Sequence, residues 1–110
     1  MATYEDFQQI DMRIGTVIDA EAFPEARVPA IKLRVDFGEK IGVKQSSAQI
    51  TKRYEPRDLV GRQVTAVVNF PPMRIAGFSS EVLVLGGIPE KGDVVLLNVD
   101  EIIPNGTKIS

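Results

Sequence analysis

Between Ile31 and Phe37 the chain alternates strictly. Ile31, Leu33, Val35 and Phe37 are apolar, and Lys32, Arg34 and Asp36 between them are charged. Successive strand side chains point to opposite faces, so this run predicts a half-buried strand with a charged outer face. Ile14, Thr16, Ile18 and Ala20 alternate more weakly with Gly15, Val17 and Asp19, and Ile41 and Val43 with Gly42 and Lys44. The runs 64–70 and 81–85 are mostly apolar and read as strands covered on both faces, and 93–99 is a further β-rich run. Helical signals are short. Thr3 and Asp6 can cap a helix over 4–9, and Pro56 and Gly61 bracket a single helical turn.

Prolines and glycines break the chain at close intervals, from Pro24 and Pro29 through Pro71-Pro72 to Gly86-Gly87 and Gly106. Many short strands with frequent turn signals indicate a barrel or sandwich and argue against a βαβ fold. The expected order is three strands, a short helix, two strands and one extra strand. That order fits an all-β, five-stranded Greek-key OB-fold barrel with a helix between strands 3 and 4 and terminal extensions. An SH3-like barrel, normally without that helix, is the alternative. The 110 residues suit one domain, 1–110, with no linker or repeat.

Composition removes much chemistry. The chain has no Cys and no His. Disulfides, thiol nucleophiles, imidazole bases and most transition-metal sites are therefore excluded. No G-x-G-x-x-G or phosphate-loop pattern occurs, and Glu81 lacks a second carboxylate to share acid–base work. The expectation is no catalysis, no cofactor and no metal. No apolar run reaches the length of a membrane span, and the acidic start lacks an apolar leader, so the expected compartment is the cytoplasm.

Charge is segregated beneath a formal net of −2. Residues 1–26 hold six carboxylates and one cation, 27–74 hold ten cations and four carboxylates, and 75–110 hold five carboxylates and two cations. A basic block between acidic ends is a candidate anion footprint, the alternative being ordinary surface charge that interleaves on folding. The expectation is that Arg27, Lys44, Lys52, Arg53 and Arg74 share one side, away from the acidic termini. Residues 42–53, with Lys44, Ser46, Ser47, Gln49, Lys52 and Arg53, contain no acid. They read either as donors for phosphate and sugar oxygens or as a polar loop.

The stretch 69–81 places Arg74 behind a stiff Pro71-Pro72 pair, with Phe78, Ser80 and Glu81 following. The expected site joins Asn69, Arg74, Ser80 and Glu81 to Ser46, Ser47 and Gln49. Arg74 would meet a phosphate or a peptide carboxylate, and Glu81 would accept from a base or orient Arg74. Phe23 and Phe78 are candidate base-stacking residues. Aromatics are too few for a general single-strand binder, which fits recognition of folded RNA by shape and backbone. A polypeptide-binding reading needs an apolar groove, with Phe23, Phe70, Ile75 and Phe78 as its candidate lining.

Five segments resemble the tRNA-binding domain family: Asp11–Val17, Phe23–Ala26, Leu33–Gly38, Leu59–Val64 and above all Val67–Glu81. The resemblance covers about residues 9–88. Residues 25–33, 44–54 and 80–87 are similar, more narrowly, to stand-alone bacterial members described as secretion-related chaperones. The resemblance implies an OB-fold homodimer that binds tRNA and, for that branch, unfolded or presecretory polypeptides and the export machinery. Homodimerisation is also expected from apolar residues outside the barrel motif, among them Phe7, Ile10, Val94–Leu97, Ile102 and Ile103.

Overall fold

The computed structural model describes residues 1–110. Helix α1 (Tyr4–Gln8) starts at the expected capping box: Thr3 Oγ1 accepts from the Asp6 amide at 3.2 Å, and Asp6 Oδ2 accepts from the Thr3 amide at 2.9 Å. β1 (Met12–Ala22), β2 (Ile31–Asp36) and β3 (Val43–Ala48) form an antiparallel meander, with α2 (Gly38–Ile41) between the last two. A 3-10 turn at Pro56–Asp58 precedes β4 (Gln63–Val67), which returns to pair with β1. The hairpin β5 (Met73–Ile75) and β6 (Phe78–Ser80) follows. Next come β7 (Leu83–Val84), β8 (Gly86–Glu90) and β9 (Asp93–Leu96). The main sheet has the order β3-β2-β1-β4-β7, and contacts between β3 and β7 bring its two ends together in a nearly closed five-stranded barrel. The turn between β3 and β4 stands where the OB pattern requires it.

The β2 alternation holds. Ile31, Leu33, Val35 and Phe37 are buried, and Arg34 is exposed. They pack with Val17, Leu59, Val64, Ala66 and Val82 in one core cluster. β4 is buried along its whole length, but it ends at Val67, short of the expected 64–70 run, and Asn69 and Phe70 are exposed. Ile103 in the C-terminal segment covers part of it: Gln63 Nε2 donates to the Ile103 carbonyl at 2.6 Å, and Gln63 Oε1 accepts from the Ile103 amide at 3.2 Å. Further on, Gly106 donates to the Ile14 carbonyl and Thr107 accepts from the Ile14 amide. Ile109 donates to the Met12 carbonyl. This strap fills the edge of β1 that β2 leaves open once it ends opposite Thr16.

Three further sequence expectations change. The phase of β1 is reversed at its start. Gly15 and Val17 face the core, because the pairing of β1 with β2 slips between Val17 and Asp19. That bulge turns Ile18 out, 43% exposed, and brings Ala20 back against the core. Ile41 and Gly42 are not strand: α2 ends at Gly42, whose φ of 82° suits glycine, and Val43 is exposed. The 81–85 run keeps only Leu83–Val84 as strand, and Leu83 is exposed while Val82 is buried.

Candidate nucleic-acid interface

Ser46, Ser47, Ser80 and Glu81 do come together, and their polar groups close the barrel. Ser46 is 1% exposed, and its Oγ donates to the Val82 carbonyl at 2.9 Å. Ser80 Oγ accepts from the Ser47 amide at 3.0 Å. Glu81 Oε1 accepts from the Gln45 amide at 3.1 Å, and the Glu81 amide donates to the Gln45 carbonyl at 2.8 Å. Gln45 Nε2 donates to the Ser79 carbonyl at 2.8 Å. A seam without regular ladder pairing consumes these groups because the edge amides of β3 require partners. Glu81 caps the Gln45 main-chain amide here and does not pair with Arg74. Asn69 stands apart from them: its Oδ1 accepts from the Asp11 amide at 2.9 Å, and its Nδ2 donates to the Gln9 carbonyl at 2.8 Å. Its role is to hold the segment behind α1.

The cations divide into tied and free. Arg53 makes a bidentate pair with Asp93, at 2.5 and 2.9 Å, and Lys52 lies 4.0 Å from Glu90. The hydrogen bond from Arg53 is the main reason the Asp93 carboxyl is held below the usual carboxylate range, and the same bond raises Arg53. Tyr54 Oη accepts from the Leu96 amide at 3.0 Å, so the 52–54 turn grips β9 and its approach. The acidic C-terminal segment therefore interleaves with Lys52 and Arg53, against the expectation of a segregated basic side. Opposite charges at these positions do what folding commonly does with them: they pair.

Arg27, on the loop between β1 and β2, is exposed and makes no ion pair, and the same holds for Arg34 and for Arg74 on the β5–β6 hairpin. Register places Lys32 and Arg34 on the outer face beside Gln45 and Ser47 of β3, with Asp19 and Glu21 of β1 on the other flank. Lys44 pairs with the inward Val35, so it belongs to the inner side of the sheet and is half-buried at its end. Gln49 is exposed just past β3. The expected site omits Lys32, Arg34 and Gln45, although the charged outer face of β2 already marks the first two.

Phe23 is 2% exposed and packs edge-to-face on Phe78, with ring centroids 5.4 Å apart and planes at 65°. The Lys32 ammonium lies 4.5 Å from the Phe23 centroid and 5.1 Å from that of Phe78. Phe23 is thus no base-stacking platform, since its ring is spent on a neighbouring ring and a cation. Below the hairpin opens an apolar groove of about 630 Å³. Phe70, Met73, Ile75, Leu83 and Ile88 line it, with Gln49, Ser80 and Glu81 at its polar side. Of the aromatic lining expected from the sequence, Phe70 is present, while Phe23 and Phe78 lie outside it.

A nearly closed five-stranded barrel with cations on its β2 face and on its loops defines a binding module of the OB class. The sequence model of the "Putative tRNA binding domain" matches residues 12–108. The chain belongs to the tRNA-binding domain family. It is similar to the crystal structure of chaperone CsaA from Bacillus anthracis, with 69% identity and a TM-score of 0.95, covering 100% of this chain and 99% of that one. Similarity to the CsaA chaperone protein of Picrophilus torridus is 50% identity, with a TM-score of 0.92 and full coverage of both chains. Among sequence relatives, methionine–tRNA ligase of Methanothrix thermoacetophila is 40% identical over 106 residues. The alignment covers 96% of this chain and only 15% of that ligase. No helix is long and apolar enough to cross a membrane.

Proposed function

We propose that this chain acts as a non-catalytic, cytoplasmic tRNA-binding module that grips folded RNA by its backbone. The observation that carries the reading is that, among the arginines, Arg27, Arg34 and Arg74 are exposed with neither an ion pair nor a ring contact, whereas Arg13, Arg53 and Arg57 each sit against a carboxylate and Arg62 lies over the Tyr54 ring. Free guanidinium groups suit phosphate oxygens, which they meet bidentately. Arg34 on the sheet, Arg27 on one loop and Arg74 on the hairpin give the site its charge. Gln49, exposed just past β3, supplies a neutral donor. The scarcity of free aromatic faces favours shape over base stacking.

Gel-shift titration with total tRNA at several salt concentrations tests this. Log affinity should fall linearly with log salt, with a slope of about −0.7 to −0.9 per phosphate neutralised. An absent shift, or affinity indifferent to salt, refutes it.

The apolar groove favours a second reading, in which the chain also holds unfolded or presecretory polypeptides and so serves the export machinery. The resemblance to CsaA chaperones supports it. Polypeptide bound there should survive high salt, because the contact is apolar. A holdase assay at two salt levels, with Met73→Ser, reads this directly. We also propose a homodimer. α1 buries none of its residues, and Val95, Leu97 and Ile102 remain exposed in the C-terminal segment. A twofold contact would cover them. Sedimentation of a 12.1 kDa species at micromolar concentration would refute that.

A further inference from the structure

We infer that Phe23, Phe78 and Lys32 form a clamp that positions the Arg27 loop and the Arg74 hairpin relative to each other, an inference that rests on the RNA-binding reading. The two loops spring from distant parts of the chain. Phe23 opens the first: its amide donates to the Ala30 carbonyl at 3.1 Å, closing the loop with Arg27 exposed near its tip. Phe78 opens the return strand of the second, opposite Ile75, one rung from the Arg74–Ser79 pair. The edge-to-face contact of the rings at 5.4 Å joins the two roots. Lys32, from β2, lies over both rings and ties the pair to the sheet.

The hairpin has little else to hold its tip. Its base is bonded to β3 through Gln45 and Ser47, but Ala76 and Gly77 are exposed, and Ala76 takes a left-handed φ of 46°. Met73 and Arg74 are exposed as well. Aromatic pairs prefer this offset geometry, and a cation over a ring face adds attraction. The Lys32 ammonium is therefore engaged by the rings. Its contribution to RNA binding is to fix the geometry of Arg27 and Arg74, more than to meet a phosphate itself.

A positioning role differs from a purely structural one by its coupling to Arg74. Two measurements separate them. In the free protein, amide hydrogen exchange of Ile75 and Phe78 should quicken about tenfold in Phe78→Leu and in Lys32→Met, while amides of β1 and β4 keep their rates. Phe78→Tyr, which keeps a ring, should restore the slow exchange. In tRNA titrations, Phe78→Leu should weaken binding by about fivefold in the wild-type background and by less than twofold when Arg74→Ala is already present. Non-additivity of this kind reports that the two residues act through one contact.

Unchanged hairpin exchange in both clamp variants would overturn the inference, whatever RNA does. Additive losses in the double variant would also overturn it, because the ring would then act independently of Arg74. Should the wild-type chain bind no tRNA, the RNA-binding reading fails, and the exchange experiment still decides whether the clamp holds the hairpin. Lys32→Met that lowers the salt slope by about one would assign Lys32 to a phosphate and overturn its place in the clamp.

Discussion

Gly15→Ala should destabilise the fold and leave RNA affinity intact. Gly15 is buried in β1 with its α-carbon facing the core. An added methyl would lie 2.6 Å from Val35 Cγ1 and 2.7 and 2.8 Å from the Phe37 ring carbons Cδ1 and Cε1. Carbon atoms pack best at about 3.5–4.0 Å, so three contacts fall short by about 1 Å. Both neighbours are fully buried and cannot swing aside. Overpacking of this kind costs about 1–3 kcal/mol. The backbone there is not left-handed, so alanine also restricts the unfolded chain and returns about 0.4–1 kcal/mol. Mid-range values leave a net loss of about 1.3 kcal/mol, which lowers the melting temperature of a domain this size by about 5–10 °C. Lys32 and Arg34 point to the opposite face of β2, so tRNA affinity measured well below the melt should change less than about twofold. Thermal denaturation and a gel shift on the same preparation check both halves. A variant as stable as the parent would refute the packing argument, and one that melts normally but loses RNA would show that the β2 outer face depends on Gly15 in a way the packing does not explain.

The complementary change is Arg74→Ala, which should weaken tRNA binding by about 1–3 kcal/mol if the contact is charge-assisted, with the melting temperature unchanged because an exposed, unpaired charge adds little stability. Asn69→Ala removes two hydrogen bonds that hold residues 9–11, and limited proteolysis should cut near α1 faster while the global melt stays in place. Asp93 is depressed in the fold by its Arg53 bond. Its stabilising contribution is therefore complete above the ordinary carboxylate range and is lost as pH falls through its lower folded value. Acid denaturation of Asp93→Asn should accordingly lack the limb that wild-type shows there, and identical acid profiles would refute the pairing argument.

Strand identity was legible wherever one physical cause dominated. Ile31–Phe37 alternates because one face is core and the other solvent, and Val64, Ala66 and Val67 are apolar because β4 is covered along its length, with Gln63 and Thr65 buried among them. β1 misled because a single bulge inverts which residues face inward, and no composition rule marks Ile18 as the extra residue. The candidate site was half legible. The sequence singles out Arg27 and Arg74 by placing them on loops, and the structure leaves both free. It does not reveal that Ser46, Ser80, Glu81 and Asn69 bond main-chain groups, because a polar side chain that binds a ligand and one that satisfies a backbone group look alike in sequence. It misplaces Lys52 and Arg53 for a related reason: Glu90 and Asp93 lie 38 and 40 positions further along the chain, and only the fold brings them close.

The seam between β3 and residues 79–82 has an evolutionary consequence. An ordinary ladder rung belongs to the backbone, so any residue but proline can occupy it. Here one contact is backbone to backbone, from Glu81 to Gln45, while those made by Ser46, Ser80, the Glu81 carboxylate and the Gln45 amide depend on side-chain identity. Mutational tolerance along this line is therefore lower than surface exposure suggests. A drifting lineage that loses Ser80 or Glu81 strands a main-chain donor of β3, and it must either recruit another acceptor or extend β6 into regular pairing. Closure of this barrel is thus inherited through particular side chains, and substitutions at the seam should co-vary across the gap between residues 45–47 and 79–82.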